Sequence, residues 1–151
     1  MTEVYGWIFI ISGIIFFGSI IGVFISAANE KEKLLRCFGI ITISLIVPLI
    51  IVFINFLVVR EDIRLNIYLI LILVYIIAEL FLDFIFKVEF RKKTSTHVPY
   101  IILEYAACFG FIVISFDINA VMGWVISVCF WAMLAALIYY IIIKKKKEKK
   151  L

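Results

Sequence analysis

Polar sequence is what this chain has least of. Its apolar runs are joined only by residues 29–36, 60–64, 87–97 and 117–119. None of these is long enough to fold as a water-soluble catalytic domain, so any chemistry belongs to the apolar runs or their edges. Histidine occurs once, at His97, and the chain has no HExxH zinc signature, no GxSxG nucleophile elbow and no phosphate-binding loop. The three cysteines, Cys37, Cys108 and Cys129, are scattered and odd in number, with no CxxC pair, so they do not form a disulfide framework. Inside an apolar run, Cys108 and Cys129 are expected to act as small apolar residues. No basic residue precedes the first apolar run, which is long enough to span a bilayer; it reads as a retained helix rather than a cleaved leader.

What is present is oil-soluble. Hydrophobic residues make up 66% of the 151 positions, against roughly 45–50% in a soluble domain. They fall into five runs, at 4–28, 37–59, 65–86, 98–116 and 120–143, each close to the ~20 residues a helix needs to cross the hydrocarbon layer. Polar and apolar residues do not alternate within them, which argues against a membrane β-barrel. The expected fold is an all-α integral membrane protein, a single five-helix bundle over residues 1–143 with a basic tail at 144–151. Internal repeats are not visible, so the chain does not read as an inverted-repeat transporter.

Basic residues orient the bundle. Three lie in the first connection (Lys31, Lys33, Arg36), two in the second (Arg60, Arg64), four in the third (Lys87, Arg91, Lys92, Lys93), none in the fourth and six in the tail. With five spans, the groups of three, four and six share one side. The positive-inside rule puts that side in the cytoplasm, giving an outside N-terminus and a cytoplasmic C-terminus in the cell membrane. Tyr5, Trp7, Tyr68 and Trp124 then fall at the outer interface, and Tyr100, Tyr139 and Tyr140 near the inner one, as interfacial aromatics do. The lysine tail reads as a topology anchor, and nucleic acid is not an expected partner.

Packing signals are modest. Gly18, Gly22 and Ser26 form a small-xxx-small stripe on the first helix, suited to close helix approach within the chain or across a homodimer. Ser12, Ser19 and Ser26 recur at seven-residue spacing on a nearby face, and Ala132 and Ala136 form a similar pair on the last helix. Pro48 cannot donate to the Ser44 carbonyl, which predicts a kink in the second helix. Asn55 is expected to bond to a neighbouring helix or to interfacial water.

The chemistry concentrates in the third and fourth runs. Glu79 and Asp83 stand one helical turn apart, followed at the same spacing by Lys87 and Arg91, which predicts one stripe on one helix. Glu104 lies in the next run, at a similar depth. His97, Tyr100, Glu104, Cys108 and Phe111 share a face of that helix. Thr96 or a neighbour is expected to cap it, with Pro99 in its first turn.

An ionisable group at membrane depth costs about 2.5–3.5 kcal/mol on insertion scales, so three carboxyls there require a reason. Four are open: structural pairing within the bundle, proton or cation handling, lipid-modifying catalysis, and docking to another membrane subunit. The ion-handling reading uses Glu79 and Glu104, with Asp83 as a relay toward water. The enzymatic one would use Glu79, Asp83, Glu104 and His97 as acid, base or magnesium ligands, and Lys87, Arg91, Lys92 and Lys93 as headgroup contacts. The sequence favours a non-enzymatic transport or channel component, with no cofactor and with the bilayer as its environment. Five helices leave little room for a pathway, so a homo-oligomer or a larger membrane complex would complete it.

Overall fold

A computed structural model describes residues 3–85 and 94–148. All the described secondary structure is helical, with no strand among the described residues. Five helices are long and apolar enough to cross a membrane: Glu3–Ala28, Glu32–Val59, Ile63–Leu82, Val98–Ile118 and Ala120–Lys147. Their outward faces are apolar, including Val47, Ile54, Val58, Trp124 and Trp131, each more than half exposed. A soluble monomer rarely presents apolar patches beyond a few hundred Å², so this surface is compatible with a multi-pass membrane protein.

Helix α1 (Glu3–Ala28) is the hub, contacting α2 (Glu32–Ser44), α3 (Ile46–Val59), α5 (Thr94–Ile118) and α6 (Ala120–Glu148). Helix α4 (Ile63–Glu79) packs chiefly on α5. The core is aromatic at its centre: the Phe16 ring lies 4.8 Å from Phe111, and Phe9 lies 5.1 Å from Phe111 on the other side. Phe17 joins them edge-on at 6.1 Å.

Several helix boundaries differ from the sequence expectation. The second run is helical from Glu32, five positions before its apolar part begins, because hydropathy marks the apolar stretch rather than the helix end. Glu32 in the first turn also complements the positive end of the helix dipole. At the kink expected from Pro48 the helix is broken for one residue, Leu45, which keeps right-handed dihedrals and separates α2 from α3. Pro48 has no N–H for the Ser44 carbonyl, and the Leu45 N–H turns back to Thr42 at 3.2 Å instead. Helix α5 begins at Thr94, so Pro99 lies in its second turn rather than its first. Asn119 caps α6, its Oδ1 accepting from the Val121 N–H at 2.8 Å.

The last helix continues through Glu148, so Lys144, Lys145, Lys146 and Lys147 form its final turns instead of a separate tail. There Lys147 Nζ donates to the Ala28 carbonyl at 3.1 Å and to Glu30 Oε1 at 2.5 Å. The C-terminal ends of α1 and α6 therefore meet. Glu30 itself sits in the left-handed region (φ 55°) and closes α1: the Lys31 N–H bonds to the Ser26 carbonyl at 2.9 Å.

The small residues of α1 do not act as one intramolecular stripe. Gly22 and Ser26 are buried, and a Cβ on Gly22 would stand 2.6 Å from the Phe38 ring. Gly18 faces open space. Ser12, Ser19 and Ser26 are all buried, so the seven-residue line is the inward one. Asn55 keeps its Oδ1 inaccessible and without a partner among the described residues.

Candidate functional site

Helices α4 and α5 run side by side, and the polar interior of the bundle lies between them. Glu79 ends α4 and is 6% exposed. Its Oε2 accepts a hydrogen bond from the Tyr100 hydroxyl of α5. The Tyr100 oxygen in turn lies 3.2 Å from the Tyr75 hydroxyl, and either phenol can be the donor of that pair. Tyr75, Tyr100 and Glu79 thus form a buried series of three exchangeable groups across the two helices. Glu104, half-buried one turn beyond Tyr100, is close enough to act electrostatically on both phenols.

The local sequence explains the geometry. Residues four apart on a helix share a face. Tyr75 therefore stands over Glu79 on α4, and Tyr100 over Glu104 on α5. The segments read Tyr-Ile-Ile-Ala-Glu at 75–79 and Tyr-Ile-Ile-Leu-Glu at 100–104. This short recurrence is the signal that could have identified both tyrosines. Tyr100, expected near the inner interface, and Tyr75, which carries no expected role, are both buried.

Aromatic packing covers the cluster on the side toward the N-terminal end of α1. Phe16 meets Tyr75 edge-on at 5.7 Å, and the Tyr75 and Tyr100 rings are 5.6 Å apart. Such pairs contribute about 0.5–1.5 kcal/mol each beyond area burial and hold both phenols in place. Gly110 lets α5 approach α4 closely: a Cβ there would stand 3.1 Å from the Tyr68 carbonyl oxygen.

The other expected site residues distribute as follows. Asp83 lies in a π-helical turn, Leu80–Ile85, that directly follows Glu79. The wider i→i+5 turn breaks the α-helical register, so the predicted Glu79–Asp83 stripe does not continue as a straight i, i+4 line. Such π turns recur at functional sites in helices. His97 belongs to the start of α5. Lys87, Arg91, Lys92 and Lys93 lie outside the described residues. Cys108, buried on the Tyr100 face, packs its sulfur 3.9 Å from the Met133 sulfur, in keeping with the expected structural role. Among the described residues, no group of three His, Cys, Asp or Glu side chains is gathered to hold a metal ion.

The arrangement can accept, hold and pass a proton, because a carboxyl and two hydroxyls in series each both donate and accept when the carboxyl is protonated. Compared with protein families, with curated proteins and with solved structures, the chain matches none of them.

Proposed function

We propose that this chain is a membrane-embedded proton-handling component, crossing the cell membrane five times with its N-terminus outside and its C-terminus in the cytoplasm. In this reading Glu79 is the group that loads and releases the proton. Tyr100 and Tyr75 hold it on the interior side, and Glu104 adjusts their electrostatics. Asp83, in the π turn between Glu79 and the cytoplasmic loop, passes the proton to water.

The observation that carries the reading is the partner of Glu79. A buried carboxyl kept for architecture is commonly matched by a cation. Here the donor among the described residues is a phenol, a neutral group that can donate to the acid's oxygen or accept from its hydroxyl. The aromatic block of Phe16 and Phe111 supports the same reading, since it separates the cluster from the opposite face. Alternating access would come from the π turn, an element able to exchange with α-helical register.

The test is proton flux. Purified chain is reconstituted in vesicles, a potassium diffusion potential is imposed, and internal pH is followed with a trapped dye. Flux above empty vesicles is expected for the wild type, with strong loss in Glu79→Gln and in Tyr100→Phe. Replacing external sodium by choline should leave it unchanged. Equal traces for wild type, Glu79→Gln and empty vesicles would sink the proposal. Sodium dependence would instead make the cargo a metal cation.

Docking to a larger complex is a second reading, supported by the exposure of the last span. Only 17% of the α6 window is buried, against 44% for α1. Trp131 is far from either end of α6 yet 69% exposed, an unusual place for an indole N–H facing lipid. Co-purification of a stoichiometric partner, lost in Trp131→Leu, would establish this role.

A further inference from the structure

An apolar groove of about 460 Å³, open along its side, runs between α1 and α6 and is lined by Ile21, Ile25, Ala132, Ala136 and Tyr139. Its size falls within the ~300–1,000 Å³ of small-ligand sites. The lining residues of α6 define a line that continues, at helical spacing, to Ile143 and Lys146. Lys147 stands beside that line, joined to Glu30 and to the end of α1. The groove lining carries no charge, and the α6 line that extends it past Tyr139 reaches Lys146, with Lys147 beside it in its pair with Glu30. Lys31, Lys33, Arg36, Lys144 and Lys145 add positive charge at the same end of the molecule, and all are exposed.

We infer that this groove seats an anionic phospholipid of the cytoplasmic leaflet, with one acyl chain against Ala132 and Ala136 and the phosphate at Lys146 and Lys147. The inference rests on the membrane orientation proposed above. Dimensions support it. From Ala132 to Lys146 the helix rises about 21 Å, which matches half of the roughly 40–45 Å bilayer including headgroups. Charge selects the occupant. Basic pockets between membrane helices on the cytoplasmic side suit anionic headgroups. A second copy of the chain would bring its own run of lysines to the same level and be repelled.

The experiment uses the full chain reconstituted in vesicles of equal phosphatidylglycerol and phosphatidylcholine. Flotation first reports membrane association. The chain is then extracted in mild detergent, and retained lipid is counted by native mass spectrometry. Preferential retention of phosphatidylglycerol is expected. Lys146→Gln should lower that preference roughly fivefold, the effect of one lysine at an anionic surface. Ala132→Phe, at an exposed position that tolerates bulk, should displace the lipid by filling the groove while leaving flotation and thermal unfolding intact.

Retention unchanged in both variants overturns the seat, as does loss in Lys146→Gln alone, which would mean surface adsorption without a groove. A shift from dimer to monomer in Ala132→Phe overturns it in favour of a second copy. Failure to float removes the membrane reading itself and is thereby distinguished from failure of the lipid seat.

Discussion

The Tyr100 hydroxyl of α5 donates to the Glu79 carboxylate at the end of α4, and both groups are buried. This one bond joins two helices through an acid. Removing the donor leaves the carboxyl desolvated, so Tyr100→Phe should lower stability by about 1–3 kcal/mol. Glu79→Gln keeps an acceptor of the same shape for the phenol, so it should be near neutral. Thermal unfolding in detergent, with the double variant completing a cycle, measures the coupling. If Glu79→Gln alone unfolds the bundle, the acid is a structural partner and proton handling loses its main support.

Lys147 and Glu30 join the ends of α6 and α1 in a contact exposed to solvent. The Lys147 hydrogen bond, followed by its charge, holds the Glu30 carboxyl below its ordinary value of 4.5. A carboxyl lowered on folding contributes stability above its unfolded value, and that contribution is lost as pH falls through the folded value. Lys147→Met should therefore unfold at lower temperature than wild type near neutrality, with the gap narrowing below pH 4.5. Added salt should narrow it too, since exposed pairs are screened. A gap that ignores both would assign the effect to the Ala28 carbonyl bond instead.

The five long apolar helices were legible from hydropathy because each run is apolar along nearly its whole length. The groups inside the bundle were less so. Glu79 and Glu104 stand out by the cost of burying an acid, which one sequence reveals. Tyr75 and Tyr100 do not, because a tyrosine in an apolar run is equally at home at an interface. Which face of an apolar helix turns inward is also invisible when every face is apolar. Gly18 and Gly22 read alike in sequence, yet one faces open space and the other a ring. The π turn at Leu80–Ile85 has no hydropathy signature, so the acid–base stripe drawn through it assumed an α register that the backbone does not keep.

Gly18 of α1 and Gly123 in the first turn of α6 predict opposite outcomes for the same substitution. Gly18→Ala meets no atom within 4 Å and should gain up to about 1 kcal/mol from helix propensity. Gly123→Ala would place its Cβ 2.3 Å from the near end of the Phe116 ring, which cannot yield without moving the α5–α6 elbow. It should destabilise despite the same propensity gain. Parallel melting curves of the two variants decide the point; equal shifts would mean that the elbow repacks freely.

Two asparagines flanking the α3–α4 turn should also part company. Asn66 Nδ2 donates to the Glu61 and Asp62 carbonyls, both at 3.2 Å, and so ties the turn to α4. Net contributions of about 0.5–1.5 kcal/mol per bond make Asn66→Leu destabilising. Asn55 and Asn66 each bury an Oδ1 with no partner among the described residues, but at Asn66 the two Nδ2 bonds offset that cost. Burying a polar atom without a hydrogen bond is unfavourable, whereas an apolar replacement of similar shape removes that cost. Asn55→Leu should hold or raise the melting temperature. A drop as large as that of Asn66→Leu would mean that the Asn55 oxygen binds a group from outside this chain, and a complex partner at that end would then be sought by cross-linking from position 55.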